Sequence, residues 1–101
     1  MSNEARLVGA APNESWIRGT VVDLEKTDDG ATWTVLVHEA ESVRGLPNFG
    51  QRYIGKVLKI QVPSEVGDSI SRDSRIAARI SYEGDERGGA FYLVNLEFRK
   101  L

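Results

Sequence analysis

The chain has no cysteine and a single histidine, His38. The first absence excludes disulfide staples, a thiolate nucleophile and thiolate-ligated zinc; the second excludes a metal site built on two imidazoles of one chain. Proline is scarce, at 3 of 101 residues, whereas glycine is not, at 10. Few prolines leave long stretches free to pair as strands, and the glycines supply tight reversals. No run approaches the ~18 apolar residues of a membrane-spanning helix. The start, Met1-Ser-Asn-Glu-Ala-Arg-Leu-Val-Gly9, also lacks a cationic segment followed by an apolar one. A cytoplasmic protein with no membrane partner is expected. Asn13-Glu14-Ser15 matches a glycosylation acceptor, but without a secretory signal it reads as a chance tripeptide.

A basic excess is missing as well. The net charge is −2, which argues against a dedicated duplex-DNA binder, whose footprint is strongly cationic. Its distribution is uneven: residues 1 to 50 carry four Lys/Arg against eight Asp/Glu, whereas residues 51 to 101 carry nine against seven. Cations concentrate in the second half.

What is present is alternation with period two, the signature of half-buried strands. It is clearest from Arg75 to Phe98. Ile76, Ala78, Ile80 and Tyr82 alternate with Ala77, Arg79 and Ser81, and after a glycine-rich reversal at Gly84, Gly88 and Gly89 a second run, Ala90 to Phe98, is apolar on both faces. This is a β-hairpin whose return strand must be covered twice. Upstream, Trp16 to Glu25 reads as a first strand, with Gly19 marking a bulge or bend. Asp29-Gly30 then suits a type I′ turn. Ala31 to Glu39 forms the second strand, with Trp33, Val35 and Val37 inward. Glu39 to Arg52 is a long connection. Tyr53 to Val62 forms the third strand, with Leu58, Ile60 and Val62 inward, ended by Pro63. Ser64 to Ser74 is too polar for a long helix; it predicts at most one turn, near Val66 to Ile70, with those two residues plugging a barrel end.

Five strands with a short plug between the third and fourth predict an all-β, partly open barrel. Over Trp16 to Phe98 this arrangement resembles the OB-fold, a five-stranded Greek-key barrel. An SH3-like barrel is the rival topology. The expected organisation is an N-terminal arm, 1 to 14, and one domain, 15 to 101. An OB-like resemblance implies a binding module rather than an enzyme, and no cofactor is expected.

The remaining motifs fit poorly with catalysis. Gly50-Gln-Arg-Tyr-Ile-Gly-Lys56 spells part of a phosphate-binding loop, but Val57 stands where a Ser or Thr must reach magnesium, and a strand follows where a helix is needed. Asp28, Asp29, Asp85 and Glu86 fall in turns without calcium-loop spacing. His38 has no nucleophile beside it in a recognisable motif. The remaining constellation is cationic and aromatic: Trp16, Arg18, Phe49, Arg52, Tyr53, Lys56, Lys59, Arg75 and Arg79. Cations that track phosphates and aromatic faces that stack on bases are what hold single-stranded nucleic acid. Two partners are therefore expected with neither favoured: a single strand on this set, or a protein docked on an exposed strand edge or on Leu46-Pro-Asn-Phe49.

Overall fold

In a computed structural model the described residues are 11 to 85 and 88 to 101. Five strands, β1 (Ser15–Thr27), β2 (Gly30–Ser42), β3 (Val57–Pro63), β4 (Arg75–Asp85) and β5 (Gly88–Lys100), form one closed ring in the order β1-β2-β3-β5-β4. β1 joins β4 to close it, from Ser15 opposite Ile80 to Thr20 opposite Arg75. The ring is uneven: β3 and β5 meet in parallel through two residue pairs only, Ile60 with Phe91 and Gln61 with Tyr92. The all-β expectation holds.

The predicted inward sets build the core. Ile17, Val21, Trp33, Val35, Val37, Ile60, Ile76, Ala78 and Ile80 have no exposed surface, as alternation requires when one sheet face points into the ring. Trp33 sits among them, its ring edge-on to Phe98 at 5.2 Å and its Nε1–H directed at the Gly67 carbonyl at 3.5 Å. Gly67 belongs to α1 (Ser64–Gly67), a single turn two residues earlier than expected. Ile70 is buried and Val66 packs on the core, so the plug lies where the sequence placed it. The opposite end is stopped by a 3₁₀ turn, Phe49–Tyr53, whose Gly50 is pressed against Ser15 and Ile17.

Gly19 bends β1. The register shifts between Arg18 and Gly19, leaving His38 as the extra residue on β2, and a Cβ on Gly19 would lie 2.4 Å from the Leu36 carbonyl oxygen. A bulge at that glycine was predicted; its partner residue was not.

Several local expectations change. The β1–β2 reversal is not the predicted type I′ turn, since Asp28 and Asp29 form the loop and no residue from Asp28 to Gly30 takes a positive φ. Gly30 is needed for approach instead, because a Cβ there would be 2.0 Å from the Val62 carbonyl oxygen. The predicted long connection is displaced along the chain: β2 runs on to Ser42, and Tyr53, expected to begin the third strand, closes the 3₁₀ turn instead, so that β3 starts at Val57. Burial drives this, since Phe49 and Tyr53 pack on the core. β5 is not uniformly two-faced. Phe91 and Leu93 turn inward and Tyr92 outward, until Asn95 and Leu96, with φ of 52° and 57°, form a bulge that resets the alternation and brings Phe98 back onto the core.

Of the expected arm, residues 1 to 10 lie outside the described residues. Its final part is docked. The Asn13 side chain bridges to the β4 backbone, Nδ2–H donating to the Tyr82 carbonyl at 2.9 Å and Oδ1 accepting from the Tyr82 N–H at 2.8 Å.

Candidate functional site

The nine residues expected to form one binding face are distributed over three places. Closure explains it: outward side chains on successive strands of a ring point in different directions.

Phe49, Arg52, Tyr53 and Lys56 sit at the barrel end, in the 3₁₀ turn and just after it. Phe49 and Tyr53 are not open stacking platforms. Phe49, Tyr82, Phe91 and Tyr53 follow one another edge to face, at centroid distances of 6.1, 5.3 and 5.4 Å, and cap the core. This geometry is favourable for aromatic pairs and leaves their faces covered. The Arg52 guanidinium lies 5.5 Å over the Phe49 ring. Lys59 stands apart, outward on β3 opposite Thr34.

Trp16, Arg18, Arg75 and Arg79 do come together, on the outer surface of β1 and β4. Across these strands Trp16 faces Arg79, Arg18 faces Ala77 and Thr20 faces Arg75. Arg79, however, is already occupied. Its guanidinium binds the Glu14 carboxylate at 2.7 Å and the Glu97 carboxylate at 2.9 Å, with 14 % of the side chain exposed. The hydrogen bond that Arg79 donates to Glu14 is the main cause that raises its pKa further above the ordinary arginine value, with both carboxylate charges acting the same way and desolvation opposing them. Its charge is neutralised by neighbours and is not available to a phosphate.

A residue that the sequence reading missed takes its place. Ala77 pairs with Arg18 on one side and with Arg99 of β5 on the other. The Arg99 guanidinium lies 5.7 Å from the centroid of the Trp16 ring, although Trp16 belongs to β1 and Arg99 to β5. The side chain therefore crosses β4. Only a small residue leaves room beneath it, which accounts for an outward-facing Ala77 with no exposed surface. Arg99 was hidden because the β5 bulge resets the alternation just before it; the signal available was its place one residue after the apolar run.

The strip thus consists of Trp16, Arg18, Arg75 and Arg99. Among the described residues none of the three arginines has a carboxylate within ion-pair distance. Such an arrangement offers planar, permanently charged donors beside an aromatic ring. Arg18 is bordered on the β2 side by Glu39, its cross-strand partner, so the cationic surface ends there. His38, the other candidate for chemistry, contacts the Thr20 hydroxyl through Nε2 at 2.9 Å in an exposed position. No group of three or more His, Cys, Asp or Glu residues that could hold a metal occurs among the described residues. Likewise no helix among them is long and apolar enough to cross a membrane.

Fold and surface together define a small five-stranded β ring with an arginine-rich outer strip. Comparison with protein-family models, curated proteins and solved structures gives no match.

Proposed function

We propose that the protein is a non-enzymatic binding module of OB type that holds single-stranded nucleic acid on the strip of Trp16, Arg18, Arg75 and Arg99. The OB reading is supported by the ring order β1-β2-β3-β5-β4, the parallel β3–β5 contact and the plug between β3 and β4. One observation carries the ligand: Arg18 and Arg99 flank the small Ala77 beside an indole, without carboxylate partners among the described residues.

Anisotropy of a labelled mixed-sequence strand, DNA or RNA, tests it. Binding should be saturable and weaken with salt, with a log–log slope of roughly −2 if three arginines each neutralise one phosphate. Charge reversal of Arg18 and Arg99 together should abolish it, whereas Lys59→Glu, on β3, should leave it nearly unchanged. Equal loss from Lys59→Glu overturns the assignment of the face. Flat traces at high protein concentration favour the second reading, a protein partner. The observation behind that reading is the thin β3–β5 junction, which leaves backbone edges on both strands free to pair with an added segment.

A further inference from the structure

A second surface lies on the outside of β2, β3 and β5, and its chemistry differs from that of the strip. Glu25, Thr32, Gln61 and Tyr92 are successive cross-strand partners on β1, β2, β3 and β5. They form a row about 14 Å long, three strand spacings. Within it the Thr32 hydroxyl donates to Gln61 Oε1 at 3.0 Å, which fixes the amide and leaves its N–H donors unspent on that partner. Tyr92 is 40 % exposed. Beside the row, where β3 and β5 diverge past their two paired residues, opens a cleft of about 510 Å³ lined in part by Asp29, Gly30, Gln61, Pro63, Ala90 and Tyr92.

One carboxylate, Asp29, lines this cleft, and no described cation does. Asp28 and Asp29 form the tip of the β1–β2 reversal and Glu25 lies at its base, all three exposed. Lys26, the cation next to Glu25, is paired with Asp68 at 2.9 Å. Lys59, two residues before Gln61 and about 7 Å along the strand, is the described cation on the outward face of β3 and does not line the cleft. A polyanion is repelled here. A cation is drawn in, and an exposed phenol ring, a carboxylate and an amide beside an apolar floor suit a flat one, because a guanidinium can stack on the ring and direct its fork of N–H donors at the carboxylate.

We infer that this cleft receives the side chain of an arginine carried by an extended segment of another protein, with Tyr92 stacking on the guanidinium and Asp29 accepting its hydrogen bonds. The site is independent of the arginine strip, so each reading stands or fails alone.

The test is titration of the isotope-labelled protein with a blocked Val-Arg-Val tripeptide, and with the same peptide carrying citrulline, the neutral isostere, in place of arginine. Amide shifts at Asp29, Gln61 and Tyr92 should saturate with the arginine peptide. The citrulline peptide should bind several-fold more weakly, and Tyr92→Ala should weaken the arginine peptide roughly 2- to 5-fold. Asp29→Asn should act in the same direction. Both substitutions are at exposed positions, and an unchanged thermal midpoint confirms that each variant folds. Equal binding of the citrulline peptide, binding indifferent to both substitutions, shifts confined to Arg18 and Arg99, or no shift at millimolar peptide each overturns the inference. Displacement of the arginine peptide by a single-stranded oligonucleotide at this cleft overturns it as well.

Discussion

Single residues carry more of this fold than their size suggests. Asn13 imitates one rung of a β-ladder with its side chain, satisfying both backbone groups of Tyr82 while its own surface is only 5 % exposed. Asn13→Ala leaves that pair of groups without partners, and a cost of about 2 to 3 kcal/mol is expected in denaturant titration. Gly19 acts by steric means. Its missing Cβ is what lets β2 approach, and Gly19→Ala, which places a carbon within 2.6 Å of Val35 Cγ1 as well as against the Leu36 carbonyl, should destabilise by roughly 2 to 4 kcal/mol. Leu96 acts in the opposite sense. Held at φ 57° and 42 % exposed, it contributes strain and little burial. Leu96→Gly should therefore raise the thermal midpoint, by an amount equivalent to about 0.5 to 1 kcal/mol.

At the level of elements, ion pairs tie the chain ahead of β1 and the bulge of β5 to β4. Glu14, ahead of β1, reaches Arg79 of β4 and, at 3.5 Å, Arg44 of the loop after β2, while Glu97 of β5 reaches Arg79 from the bulge. Arg79→Gln should lower the denaturation midpoint and loosen residues 11 to 14, detectable as faster amide exchange there. Because the Arg79 pKa is raised, the stabilisation linked to its proton is complete below its unfolded value and is lost only as pH rises through the still higher folded one. No loss from Arg79 titration is expected across the neutral range. Elements were also where the sequence was most and least legible. Inward sets such as Trp33, Val35 and Val37 follow from alternation alone, and so do Leu58, Ile60 and Val62, because burial of one sheet face imposes period two. Positions that depend on closure were not legible. Nothing local in Phe49 or Tyr53 says that a turn will fold them onto Tyr82 and Phe91, and nothing in Arg79 announces Glu14, 65 residues away. Arg99 was lost for a related reason, since a bulge upstream changes which parity faces outward.

For the whole molecule, topology dominates. Sealing the ring requires β1 to pair with β4, so that Ser15 finds Ile80 across most of the chain. Contacts this distant in sequence slow folding, and refolding followed by tryptophan fluorescence should fall in the millisecond-to-second range rather than microseconds. Closure also sorts charge: the strip on β1, β4 and β5 is cationic, whereas the β1–β2 reversal beside the cleft is acidic. A net charge of −2 conceals two surfaces of opposite sign.

The thin junction between β3 and β5 leaves two strand edges that could recruit strands from other copies, the route by which β proteins aggregate. This chain keeps both short. Pro63 terminates β3 without an N–H to offer, and the Asn95–Leu96 bulge twists β5 out of line before a long flat edge can form. The strain at Leu96 thus has a use away from any ligand. Deleting Asn95 and Leu96 together would straighten β5, and the resulting protein should lose solubility on storage, seen as rising light scattering at concentrations where the parent remains clear.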